Sequence, residues 1–75
     1  MKIKVPKHII YQENEYRLLL WFYERNGIHV WSARYECMKS INANIAPAYW
    51  TNKSLKVVED NIFDWLEKNN AQDAD

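Results

Sequence analysis

The segments Tyr16-Arg-Leu-Leu-Leu-Trp-Phe-Tyr-Glu24 and Ile28-His-Val-Trp-Ser-Ala-Arg-Tyr-Glu36 flank Arg25-Asn26-Gly27, and this stretch decides the fold. An Asn-Gly pair between two runs rich in aromatic and branched residues is a strong signal for a β-hairpin with a two-residue turn. We therefore predict two antiparallel strands that reverse direction at Asn26-Gly27.

The two-residue turn also predicts a register, which pairs Glu24 with His29. Paired residues share a face of the sheet, so one face of the hairpin becomes almost entirely apolar. That face holds Tyr16, Leu18, Leu20, Phe22, Trp31, Ala33, Tyr35 and Cys37. A three-residue turn would shift the register by one residue and place Ser32 and Arg34 opposite leucines. The two-residue turn separates the charged side chains from the apolar ones more completely, so we favour it.

The C-terminal part of the chain predicts an amphipathic helix over about Ser54 to Asn69. Its apolar residues recur at intervals of three and four, which places them on one stripe. The stripe consists of Leu55, Val58, Ile62, Trp65 and Leu66. Ser54 or Asn52 can cap the first turn, and Asn69-Asn70 can end the helix with a left-handed residue.

The remaining segments complete an α+β fold. A strand over about His8 to Gln12 fits before a polar turn at Glu13-Asn14, and Ile45 to Trp50 is a weaker candidate edge strand because it contains Pro47. Residues 1–6 and 70–75 are expected to fray. The predicted fold is a small antiparallel β-meander of about three strands, packed against one C-terminal amphipathic α-helix.

An all-α alternative also fits part of the pattern. Asn14 would cap a helix over residues 15–26 with Gly27 as the residue just after it, and Ser32 would cap a second helix through Asn42. With the C-terminal helix, the three would resemble the core of a helix-turn-helix DNA-binding domain. Against this alternative, the aromatic and branched runs on either side of Gly27 favour strands, and the recognition helix would be acidic, which repels phosphate.

Length and charge limit the classes of function. The length of 75 residues predicts a single domain over residues 1–75. The ten basic and ten acidic side chains cancel, so the chain has no bulk positive charge to attract nucleic acid or an anionic membrane. The longest apolar run, Leu18 to Tyr23, is far too short to span a bilayer. The N-terminus has no signal-peptide core, so we expect a cytoplasmic protein.

No residue pattern predicts catalysis or a cofactor. A single glycine excludes a glycine-rich phosphate loop, and neither His8 nor His29 has metal-ligand spacing around it. Cys37 lies on the predicted apolar face, where a packed thiol is the usual outcome. Asp60 and Asp64, one helical turn apart, are better explained as part of a solvated helix face than as a metal site. We predict a non-enzymatic protein with no cofactor and no metal.

The candidate binding surface is the side of the sheet opposite the helix, which we call the open face. In the predicted register it holds Arg17, Leu19, Trp21, Tyr23, Val30 and Arg34. One helix shields one face only, and monomers seldom leave several large apolar groups together in water. Trp, Tyr and Arg also dominate binding hot spots. A secondary acidic face on the helix is predicted from Glu59, Asp60, Asp64 and Glu67.

These features predict a small accessory protein that binds another protein, either a different protein or a second copy of itself. In size and residue usage it is similar to the small inhibitors and adaptors that bacteriophages and mobile elements encode, which dock on a larger host or viral protein. The alternative is a small helix-turn-helix-like regulator that binds nucleic acid. Nucleic acid is the less favoured partner because few cations lie near the predicted aromatic surface, and no membrane partner is expected.

Overall fold

The computed structural model describes residues 5–38 and 48–74 and has an α+β fold, as predicted. Within these two ranges, five strands form one sheet and one helix packs on it. In chain order the elements are β1 (His8–Tyr11), β2 (Asn14–Arg25), β3 (Ile28–Cys37), β4 (Tyr49–Asn52), α1 (Leu55–Lys68) and β5 (Gln72–Asp73). The strand order across the sheet is β4-β3-β2-β1-β5. The predicted meander is therefore the centre of a wider sheet.

The turn between β2 and β3 contains only Asn26 and Gly27, as predicted. Their φ angles are 52° and 77°, and positive φ at both central residues is what a two-residue hairpin requires. The register is the predicted one, with Glu24 opposite His29 and Phe22 opposite Trp31. The all-α alternative is wrong, because the two segments that it makes helical are strands whose backbones pair with each other.

The turn between β1 and β2 lies one residue earlier than predicted. Gln12 and Glu13 occupy it with φ angles of 50° and 66°, and Asn14 is already the first residue of β2. The Asn14 side-chain amide donates a 3.1 Å hydrogen bond to the Gln12 carbonyl oxygen. An asparagine that bonds the backbone of the turn beside it is a common way of stabilising such a turn.

Two short strands extend the sheet on either side. On one side β4 pairs with β3, with Ala33 opposite Trp50; the strand expected over Ile45 to Trp50 thus begins at Tyr49, and residues 45–47 lie outside the described residues. On the other side β5 pairs with β1, with Ile9 opposite Asp73. The last residues that the structure describes, expected to fray, are therefore tied to the sheet.

The helix α1 begins and ends with the predicted signals. Ser54 is the N-cap, and its hydroxyl accepts a hydrogen bond from the Val57 N–H. Asn70 follows the helix with a φ of 53°. The buried core joins α1 to the apolar face of the sheet and consists of Val5, Ile9, Tyr16, Ala33, Tyr35, Val58, Ile62 and Leu66.

Aromatic rings fill the space beside this core. The Trp65 ring of α1 lies 5.1 Å from Tyr11 and 5.8 Å from Trp50, measured between ring centroids. The core does not reach the far end of the hairpin, so Phe22, predicted on the apolar face, is about half exposed and packs instead on Trp31 at 4.8 Å. Across the described parts of the chain, no helix has the length and apolarity needed to cross a membrane.

Candidate functional site: the open face of the sheet

The structure brings all the residues predicted for the open face onto one side of the sheet. Strand alternation places Arg17, Leu19, Trp21, Tyr23, Val30 and Arg34 together. The buried residues of α1 pack against the opposite side. All five strands lie within the sheet, so no strand or helix of residues 5–38 and 48–74 lies over the open face.

A strip of aromatic rings runs across the open face. Trp21 is half-buried, and its ring lies 6.3 Å from that of Tyr49 in β4. Tyr23, next along β2 on the same face, is 38% exposed, and Tyr49 is 55% exposed. The rings therefore present a broad apolar surface that still reaches solvent. Tyr49 was missed from the sequence, because Pro47 weakened the case for a strand there.

Hydroxyl groups fix the position of β4 beneath this strip. Ser32 is fully buried although it lies on the open face, since it sits between Trp21 on one neighbouring strand and Thr51 on the other. The hydroxyl oxygens of Ser32 and Thr51 are 3.1 Å apart, and the Tyr49 hydroxyl donates to Ser32 at 3.4 Å. The second of these bonds holds the Tyr49 ring against the sheet.

Charges flank the aromatic strip without making it strongly basic. The Arg17 guanidinium lies 3.3 Å from one carboxylate oxygen of Glu36, and the Arg34 guanidinium lies 3.9 Å from the other. Arg17 and Glu36 are also direct cross-strand partners in the hairpin register. One carboxylate between two guanidinium groups leaves a single net positive charge on this part of the open face. Both arginines remain partly exposed and able to contact a partner.

The predicted acidic face of α1 is less acidic than its sequence indicates. Glu59 is only 9% exposed; it lies one turn after Leu55 and seven residues before Leu66, on the same side of the helix, and so does not belong to the solvated face. Asp60 and Asp64 are exposed, but Lys56 and Lys68 lie 3.9 Å and 3.0 Å from their carboxylates. Glu67 is exposed.

The other residues considered for chemistry occupy ordinary structural positions. The His29 ring lies 3.5 Å from the Glu24 carboxylate, but both side chains are well exposed, which makes this a solvated cross-strand contact. Cys37 is a half-buried free thiol beside the core. Within the described ranges, no three His, Cys, Asp or Glu side chains are grouped as a metal site requires.

Comparisons with protein families, with curated proteins and with solved structures find no match for this chain. Function must therefore be inferred from the residues of the open face and from their geometry.

Proposed function

We propose that this chain is a small non-enzymatic accessory protein that binds a larger protein through its open face, as an inhibitor or adaptor. The supporting observation is the aromatic strip of Trp21, Tyr23 and Tyr49, which lies on a sheet face that no described strand or helix covers. Large apolar groups gathered at a surface mark interaction sites, and a rigid strip needs little ordering on binding.

Charge favours a protein over a nucleic acid as the partner. Single-stranded nucleic acid also stacks on aromatic rings, but such sites combine the rings with a strongly positive groove. Here Glu36 lies against both Arg17 and Arg34, and the chain has no net charge. We expect the partner to offer an apolar patch with a carboxylate at its rim, and this carboxylate would form an ion pair with Arg17 or Arg34.

The test compares a double variant of the open face with a double variant of α1 in affinity capture from the native host. Replacing Trp21 and Tyr23 by alanine removes two rings of the open face. The control replaces Val57 and Phe63 of α1, which are 38% and 40% exposed. We expect a protein that wild type and the control capture and that the first variant loses. Titration of that purified protein should show at least about a 100-fold weaker affinity, as for paired hot-spot residues.

Folding is checked separately, because truncated rings can also destabilise a small sheet. Far-UV circular dichroism and the thermal midpoint should stay close to wild type in both double variants. If Trp21→Ala/Tyr23→Ala unfolds, Arg34→Glu serves instead, since its side chain is exposed. Equal capture by all variants would refute the proposal. So would tight binding of random single-stranded DNA that weakens steeply with salt.

A further inference from the structure

Among residues 5–38 and 48–74, one edge of β2 is without a strand partner over the second half of its length. β1 pairs with β2 only from Asn14 to Arg17, and the backbone N–H of Leu18 donates to the Lys7 carbonyl oxygen at 2.7 Å. Within the described residues no strand continues this pairing from Leu19 to Arg25. We call this stretch the free edge. It runs from the end of β1 to the hairpin turn.

The hydrogen bonds on either side of β2 show which backbone groups point out of the free edge. Leu18 bonds toward β1, whereas the Glu15 carbonyl accepts from the Met38 N–H on the β3 side at 3.0 Å. Successive residues of an antiparallel strand alternate between the two sides. The N–H and C=O groups of Leu20, Phe22 and Glu24 therefore point outward, while those of their odd-numbered neighbours bond to β3.

The middle of the free edge, from Leu19 to Tyr23, lacks the features by which proteins prevent edge pairing. A lysine, a proline or a bulge commonly disrupts pairing at an exposed edge strand. The five residues from Leu19 to Tyr23, Leu-Leu-Trp-Phe-Tyr, include no lysine and no proline. Every position of β2 from Tyr16 to Arg25 is paired one-to-one with β3, without a bulge. A second strand can thus add to this edge with regular geometry.

From this edge we infer that two copies of the chain pair β2 to β2 about a two-fold axis at Phe22, making one continuous sheet. The free edge is centred on Phe22, so this register uses its whole length and avoids β1. It places Phe22 opposite Phe22, Trp21 opposite Tyr23, Leu20 opposite Glu24, and Leu19 opposite Arg25. No like charges stand directly opposite one another, and the chain carries no net charge that would keep copies apart.

A basic cavity supports this register through charge. It has a volume of about 380 Å³ and lies where β1 leaves β2, lined by Lys7, His8, Arg17, Leu18 and Leu20. The two-fold register sets Glu24 of the second copy opposite Leu20, at this cavity. Its side chain lies on the Leu20 side of the sheet, where the carboxylate meets Lys7, the residue that is hydrogen-bonded to Leu18, and symmetry makes the same contact twice. A shifted register moves Glu24 away from Leu20.

Sedimentation equilibrium and charge exchange test the dimer and its register. Wild type should sediment as a dimer. Glu24→Lys, at an exposed residue, should raise the dimer dissociation constant about tenfold or more, because two repulsive contacts replace two attractive ones. Adding Lys7→Glu should recover the wild-type value to within about threefold. A monomeric wild type, or no recovery by the second substitution, overturns the inference.

Amide hydrogen exchange tests the edge itself. In the dimer the N–H groups of Leu20, Phe22 and Glu24 should exchange at least about tenfold more slowly than in the Glu24→Lys variant at low concentration. The amides of Leu19 and Trp21, bonded to β3 in both forms, are the internal control. Equal exchange of the outward amides in dimer and monomer would place the dimer contact elsewhere. Either failure leaves the proposed docking function standing, because the open face exists in a single copy.

Discussion

The Tyr35 hydroxyl donates a 2.8 Å hydrogen bond to the carbonyl oxygen of Pro6, a residue 29 positions earlier in the chain. Tyr35 is fully buried near the C-terminal end of β3, and Val5 beside Pro6 is buried in the same core. One phenol thus fills the space under α1 and also holds the segment that leads into β1.

Replacing Tyr35 by phenylalanine tests this bond. The ring volume is kept, but the Pro6 carbonyl loses its donor within the core. We expect the free energy of unfolding to fall by about 1–3 kcal/mol, measured by urea denaturation. Tyr23→Phe, a hydroxyl deletion at an exposed ring, is the control and should change stability by less than about 0.5 kcal/mol. Equal losses in both variants would contradict the assigned role of the bond.

Gly27→Ala should destabilise the protein through backbone strain alone. The φ of Gly27 is +77°, and a Cβ built there meets no atom within 4 Å. The penalty therefore comes only from the left-handed conformation, about 1–2 kcal/mol for alanine. Gly27→Asn should lose less, since asparagine tolerates this region. Thermal denaturation should rank Gly27→Ala below Gly27→Asn in melting temperature. A Gly27→Ala variant as stable as wild type would contradict the strain argument and mean that the turn changes conformation.

Tyr16 should make the fold sensitive to alkali. Burial raises the pKa of its phenol above the ordinary value, with smaller contributions from Cys37 and Tyr11. Below about pH 10 the phenol is protonated in both states. Above that pH the unfolded chain loses the proton while the folded protein retains it, so stability falls as pH rises. In Tyr16→Phe the free energy of unfolding, measured by urea denaturation, should fall less steeply with pH above about 10. If its dependence on pH is unchanged, the alkaline loss of stability comes from other groups.

Ser54→Ala should weaken the start of α1. Its hydroxyl accepts the Val57 N–H at 3.4 Å, one of the N–H groups that the first turn of a helix leaves without a partner. We expect a loss of about 1 kcal/mol in unfolding free energy. Lys53→Ala, at the exposed residue just before the cap, should change stability little. A similar loss in both variants would show that the cap itself contributes nothing.

The centre of the fold could be predicted from sequence because local signals agree there. Asn26-Gly27 specifies a turn of fixed length, and that length specifies the register of every pair in the hairpin. The stripe from Leu55 to Leu66 specified the helix in the same way. In both cases the deciding residues lie close together in the chain.

The edges of the sheet could not be predicted, because long-range contacts determine them. Gln72–Asp73 is polar and only two residues long, and it becomes a strand because the chain turns back at Asn70 and meets β1. The position of Tyr49 depends on pairing with Arg34, which no local pattern indicates. The burial of Glu59 likewise follows from how α1 is rotated against the sheet.

The first strand, β1, lies beside the last described residues of the chain. Ile9 lies opposite Asp73, and the N–H of Ala74 donates to the His8 carbonyl oxygen at 2.9 Å. Neighbouring ends of this kind are what circular permutation requires. A short linker could join them, and new termini could be opened at Asn26-Gly27 without breaking any strand. The order in which the strands are synthesised would then change, while the layers they form would not.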